Sequence, residues 1–161
     1  MATVTESLMP RTSVRIAMLG SGFVAGFYMQ GLANVGGQEV VANYSRKKHR
    51  ARKFAQEWSI PEPTIELNKL IERDDIDLYV IAVPNEEHLP VSLALSRAKR
   101  NQVCTKPLAR TPREAHAMLR AARTFRRSAW LCRNRGLFSL RRESSADRRR
   151  GWSREGSLGA F

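Results

Sequence analysis

The stretch from Val14 to Ala25 constrains the fold of this chain more than any other. Val-Arg-Ile-Ala-Met-Leu, a short and mostly apolar run, ends at Gly20, and helical spacing of apolar residues follows from Phe23 to Asn34. The run reads as a buried strand, and Gly36-Gly37 as the stop signal of the helix. The same alternation continues downstream. Glu39 to Tyr44 predicts a second strand, and Lys47 to Trp58 a polar helix with Phe54, Ala55 and Trp58 on one face. Pro61 and Pro63 break the chain before a short strand at Thr64-Ile65 and a brief helix from Leu67 to Ile71. Asp77 to Val83 is the clearest buried strand, Glu86 to Arg100 an amphipathic helix, and Gln102 to Thr105 a brief strand. Thr111, Pro112 and Glu114 form a capping box for a helix reaching about Thr124. Strands alternating with helices predict an α/β fold, a Rossmann-type doubly wound parallel sheet over residues 14–124. Ligands of such sheets sit at the carboxyl ends of the strands.

The 161 residues suit one ordinary domain plus flanking segments. Residues 1–13 are polar, lack an apolar signal core and read as a disordered arm; no apolar run is long enough to span a bilayer. Cys104 and Cys132 belong to no CxxC or Cys/His cluster, which argues against a disulfide scaffold and against a metal site. A cytoplasmic location is therefore expected. The net charge of +13 is unevenly spread. Residues 126–161 hold ten arginines, no lysine and three acids, a net +7 in that segment alone.

Gly20-Ser21-Gly22-Phe23-Val24-Ala25 fits G-x-G-x-x-A between a predicted strand and a predicted helix. Gly20 permits the tight turn, Gly22 clears space for a pyrophosphate, and Ala25 lets the helix pack closely on the sheet. The helix start offers free N–H groups and a positive dipole end to the phosphates. The bland reading is that these glycines punctuate a turn, but the strand–turn–helix context favours a nucleotide. At the end of the second strand an NAD site usually places an acid for the ribose 2′-hydroxyl. Here the sequence is Tyr44-Ser45-Arg46-Lys47-Lys48, without a carboxylate. Ser45 and Arg46 suit the 2′-phosphate of NADP, so NADP is expected in preference to NAD.

Three ordered motifs resemble those of the Gfo/Idh/MocA oxidoreductases. They are the glycine fingerprint, the strand ending at Pro84 and followed by Asn85-Glu86-Glu87-His88, and Thr105-Lys106-Pro107-Leu108. The family pattern has Pro-x-x-x-His in the second place and Glu-Lys-Pro in the third. The resemblance implies that Pro84 and Asn85 line the cofactor cleft and that His88 shapes it. It also implies that Lys106 sits near the nicotinamide as the catalytic lysine. Thr105 stands where the family has a glutamate, which removes a carboxylate that would orient that lysine. Family members transfer hydride between NAD(P) and a sugar, polyol or related small molecule, which binds in a second α/β domain. That domain is expected to be lacking here, leaving a truncated nucleotide-binding module without enzyme turnover.

Beyond Phe125 no period of two or 3.6 is visible, and arginines interrupt every apolar run. One reading is a disordered basic tail. Arg141-Arg142 and Arg148-Arg149-Arg150, with Trp130 and Trp152, would then contact nucleic acid or an acidic partner, making the chain a non-enzymatic Rossmann binding module. The favoured reading is a shifted reading frame, since arginine without lysine is what GC-rich DNA yields out of frame. Codons exist for Arg126 to Leu140 such that reading one base later gives a peptide resembling the family's next strand. One step is forced: the single Trp130 codon followed by a Leu131 codon reads as glycine in that frame. On this reading nucleic acid is not a partner, and the sheet loses its next strand and keeps an exposed edge.

Overall fold

The computed structural model describes residues 13–124, 129–133 and 136–139. Twelve elements alternate along them. The strands are β1 (Val14–Leu19), β2 (Gln38–Tyr44), β3 (Glu62–Thr64), β4 (Leu78–Ile81), β5 (Gln102–Cys104), β6 (Ala129–Arg133) and β7 (Gly136–Ser139). The helices are α1 (Phe23–Leu32), α2 (Lys48–Glu57), α3 (Leu67–Glu72), α4 (Asn85–Arg97) and α5 (Pro112–Thr124). The sheet order is β3-β2-β1-β4-β5-β6-β7. All neighbours pair in parallel except β6 and β7, which pair antiparallel.

Alternation along β1 explains the two-sided core. Ala17 and Leu19 face a cluster with Leu70, Ile71, Val91, Leu95 and Met118, contributed by α3, α4 and α5. Ile16 and Met18 face the other side, packed with Ala25, Met29, Phe54 and Ala55 of α1 and α2. A strand buried on both faces has to be apolar at successive positions, which is why β1 and β4 are so legible in the sequence. The doubly wound parallel architecture is therefore as expected. The chain moves outward from β1 to β3, then returns to place β4 on the other side of β1. This reversal opens a crevice between the carboxyl ends of β1 and β4.

Regular structure also continues past Thr124. Ala129–Arg133 pairs with β5 through Gln102↔Ala129, Val103↔Trp130 and Cys104↔Leu131. The bare sheet edge expected beside β5 is therefore occupied. Local pattern missed this strand because arginines flank a short apolar core, whereas the β5 edge supplies the backbone partners that decide it. The arm at residues 1–12 and the arginine pairs and triplet of the tail lie outside the described residues.

At the amino ends of the strands, away from that crevice, charged residues tie neighbouring elements together. Arg15 of β1 reaches Asp75 at 2.9 Å, and Arg73 reaches the same carboxylate at 2.7 Å while also pairing with Glu62. The Arg15 amide donates to Asp77 Oδ2 at 2.9 Å. The Arg73 and Arg15 guanidiniums hold the Asp75 carboxyl well below the usual carboxylate range.

Candidate cofactor-binding site

A cleft of about 250 Å³ opens at the carboxyl ends of β1, β2 and β4. Gly20 begins its floor. Its φ is +132°, and a Cβ there would lie 2.3 Å from the Ala82 carbonyl oxygen. Only glycine lets the turn pass this close to the chain leaving β4. The turn is pinned by the Gly20 amide donating to Tyr44 O at 2.8 Å and by the buried Asn43 amide donating to Gly20 O at 3.4 Å.

Gly22 caps the start of α1 with extended backbone, φ −100°, and no side chain caps the helix. A Cβ at Gly22 would meet nothing within 4 Å. Protein packing thus leaves this position free, and the empty space lies directly over the amino end of α1. That is the cradle a pyrophosphate requires: free N–H groups, a positive dipole end and no side chain in the way. Ala25, one turn on, is fully buried against the sheet and packs near Met18, Val80 and Ala82.

Ser45 and Arg46 follow β2 on the cleft's second wall. The Ser45 hydroxyl accepts from Ser21 at 2.8 Å, which ties the glycine turn to β2 and leaves the Ser45 proton available to a ligand. Arg46 reaches across the cleft to Glu87 of α4, with Nη1 to Oε1 at 2.6 Å. Lys47 and Arg50 also line the cleft, giving this wall three cations. No acidic residue occupies the first turn of α2. Burial, then the Glu87 carboxylate, raises the pKa of the Tyr44 phenol beneath them.

Of the expected site residues, the cleft brings together Gly20, Gly22, Phe23, Ser45, Arg46 and Pro84. Ala25, Asn85, His88 and Lys106 do not line it. Asn85 begins α4 beside Pro84, and its Oδ1 is buried without a hydrogen-bond partner. His88 is only 2% exposed and lies beneath the cleft floor. Its Nε2 is 3.0 Å from Val83 O, while Nδ1 is 3.1 Å from Pro107 O and 3.2 Å from Leu108 O. The ring therefore sits between the turn after β4 and the turn that carries Lys106, donating to one side or the other according to its tautomer. Lys106 itself is exposed; the preceding Thr105 is buried, and its amide donates to Ile81 O at 3.1 Å. Cys104, beside His88, has its thiol pushed up to about 12 by burial, so it behaves as a small apolar residue.

Sequence reasoning missed Ser21, Lys47, Arg50 and Glu87. Lys47 and Arg50 are legible in hindsight as cations one helical turn apart, whereas Glu87 reaches the site from a distant element. Among the described residues no group of three His, Cys, Asp or Glu side chains is placed to hold a metal ion. No helix there is long and apolar enough to cross a membrane.

Glycine turn, vacant helix start and switch-point crevice together define a dinucleotide-binding Rossmann domain. Residues 14–130 match the oxidoreductase family described as having an NAD-binding Rossmann fold, and the chain belongs to this Gfo/Idh/MocA family. It is 31% identical over 109 residues to the 1,5-anhydro-D-fructose reductase of Ensifer adhaerens, covering 68% of this chain and 33% of the relative. A 3-ketoreductase from Actinomadura kijaniata, solved with NADP, is 25% identical with a TM-score of 0.67, over 74% of this chain and 38% of its own. A levoglucosan dehydrogenase solved with NADH and levoglucosan shares the fold at 23% identity and a TM-score of 0.67, over 71% of this chain and 33% of its own. The chain spans about a third of the length of the first curated relatives it matches.

Proposed function

We propose that this domain binds NADP(H) in preference to NAD(H), as the cofactor half of an oxidoreductase acting on a sugar, polyol or related small molecule. The observation that carries the reading is the space above Gly22, which the protein itself does not fill. The pyrophosphate would lie there on the start of α1. Ser45, Arg46, Lys47 and Arg50 would hold the 2′-phosphate, because phosphate is recognised by cations and hydroxyl donors and this wall has no competing acid at the carboxyl end of β2 or in the first turn of α2. Pro84 would border the cleft on the β4 side, with Asn85 behind it at the start of α4. Bound nicotinamide would supply the hydride in its reduced form and accept it in its oxidised form.

Lys106 is the residue we assign to positioning and polarising the substrate oxygen. His88 acts through it by packing its buried ring against the Pro107 and Leu108 carbonyls, beneath the turn on which the lysine is carried. With Thr105 in place of a carboxylate, nothing at the preceding position orients the lysine amine. Hydride transfer requires substrate and nicotinamide in contact geometry, and the family's second domain supplies the substrate pocket. The cofactor cleft is expected to bind NADP(H), and the expected location is the cytoplasm. The same reading assigns residues 126–161 to a shifted frame.

An amide NMR titration of the labelled chain with NADPH tests the site. The expected shifts fall on Gly20 to Ala25 and Ser45 to Lys47. Shifts confined to α5, or none, overturn the proposal. A second reading draws on α5, whose Arg113, His116, Arg120 and Arg123 are all exposed. If the chain is a nucleic-acid module, single-stranded RNA will perturb that helix with steep salt dependence.

A further inference from the structure

Among the described residues Glu87 is the one carboxylate lining the cleft, and it is paired with the cation best placed for a 2′-phosphate. Its side chain is 18% exposed, while that of Arg46 is 60% exposed. Glu87 Oε1 is buried, and the 2.6 Å approach of Arg46 Nη1 is misaligned for a hydrogen bond. The contact is thus held by charge rather than by directional bonding, and the exposed guanidinium is the partner free to turn toward a ligand. We infer that Glu87 is a built-in counter-ion that occupies Arg46 in the free domain and sets the balance between NADP and NAD.

The physical reasoning is competition. A 2′-phosphate brings about two negative charges to Arg46, Lys47 and Arg50. Glu87 either surrenders Arg46 or shares it, and in both cases a carboxylate stays close to the phosphate. This like-charge term opposes NADP alone. NAD, with a 2′-hydroxyl, leaves the Arg46–Glu87 pair intact and pays no such penalty. Glu87 also lies in a different element from the cationic wall, so it tunes selectivity without contributing to the phosphate cradle at Gly22. The Tyr44 phenol beneath the pair feels both charges, Glu87 raising its pKa and Arg46 lowering it, which places all three groups in one electrostatic cluster.

This inference rests on the reading of the cleft as a dinucleotide site, and the test separates the two. NADPH and NADH are titrated onto the full chain and onto Glu87→Gln by following nicotinamide fluorescence, at low and high salt. The expected result is that the glutamine variant binds NADPH about fivefold more tightly, with NADH affinity unchanged. The gain should shrink at high salt, where charge competition is screened. If NADPH affinity is unchanged, or both cofactors weaken together, Glu87 contacts adenosine or is a bystander and the counter-ion inference is overturned while the site stands. If NADPH alone weakens, Glu87 instead holds Arg46 ready for the phosphate, and the inference is likewise overturned. Failure of the unmodified chain to bind either cofactor overturns both readings. Circular dichroism of the variant, with Glu87→Ala as a second substitution, separates loss of binding from loss of fold.

Discussion

A Cβ on Gly20 would lie 2.3 Å from the Ala82 carbonyl oxygen, at a backbone φ that L-residues avoid, whereas a Cβ on Gly22 would touch nothing. The two glycines of one motif therefore answer to different forces, and their alanine variants should separate cleanly. Gly20→Ala is expected to cost about 3 kcal/mol of stability, from steric overlap and strained backbone together, read in denaturant melts. Gly22→Ala should leave the melting curve nearly unchanged and weaken dinucleotide binding at least about tenfold, the signature of a constraint imposed by the ligand. Comparable destabilisation by both substitutions would contradict this assignment. The glycines, Ala25 and the Ser45-Arg46 pair were legible because strand–turn–helix context fixes where each points. Arg50 and Glu87 were not, since the surfaces of two separate helices, α2 and α4, meet at the cleft only once the sheet is assembled. His88 was expected to shape the cleft, and its ring is buried between the turn after β4 and the Lys106 turn rather than lining the cleft itself. Polarity alone does not reveal that three carbonyl oxygens from two turns surround its ring.

At the scale of elements, hydrophobic runs located β1 and β4 well because both faces of a central parallel strand are buried. Edges were less legible. The expected strand at Thr64-Ile65 lies at Glu62–Thr64, where pairing of Ala42 with Glu62 and Tyr44 with Thr64 sets the register. The capping box of α5 is also shifted. Thr111 Oγ1 accepts from the Glu114 amide at 3.2 Å, but the Glu114 carboxylate accepts from the Arg110 amide at 3.1 Å. Arg110 and Glu114 also pair by charge, which lowers the Glu114 pKa. Replacing Thr111 by Ala should cost about 1 kcal/mol in thermal melts, the usual worth of an N-cap. The β6 strand was invisible to local pattern because its partner, the edge of β5, is distant in sequence.

Across the whole molecule, charge is divided between two ends of the sheet. Asp75 at the amino end is held ionised by Arg73 and Arg15, so its folded-state pKa lies below its unfolded value. Its stabilising contribution is present above about pH 4 and is lost as pH falls through the depressed value. Asp75→Asn should therefore destabilise the chain near neutral pH, and its gap from the unmodified protein should narrow on acidification. Melting temperatures across that range will show it, and a constant gap would mean that packing rather than charge is lost. The tail belongs to this scale as well. Sequencing the coding DNA from codon 120 onward, with translation in all three frames, should reveal a family-like continuation offset by one base; its absence would make the arginine-rich segment genuine.

The most direct test of the central assignment is calorimetric titration of the intact chain with NADPH and, separately, with NADH. One saturable site, tighter for NADPH by roughly tenfold, is the result expected from a phosphate cradle at Gly22 and a cationic wall at Ser45 and Arg46. No saturable binding of either dinucleotide would contradict the assignment of this cleft, and tighter binding of NADH would contradict the role given to its cations.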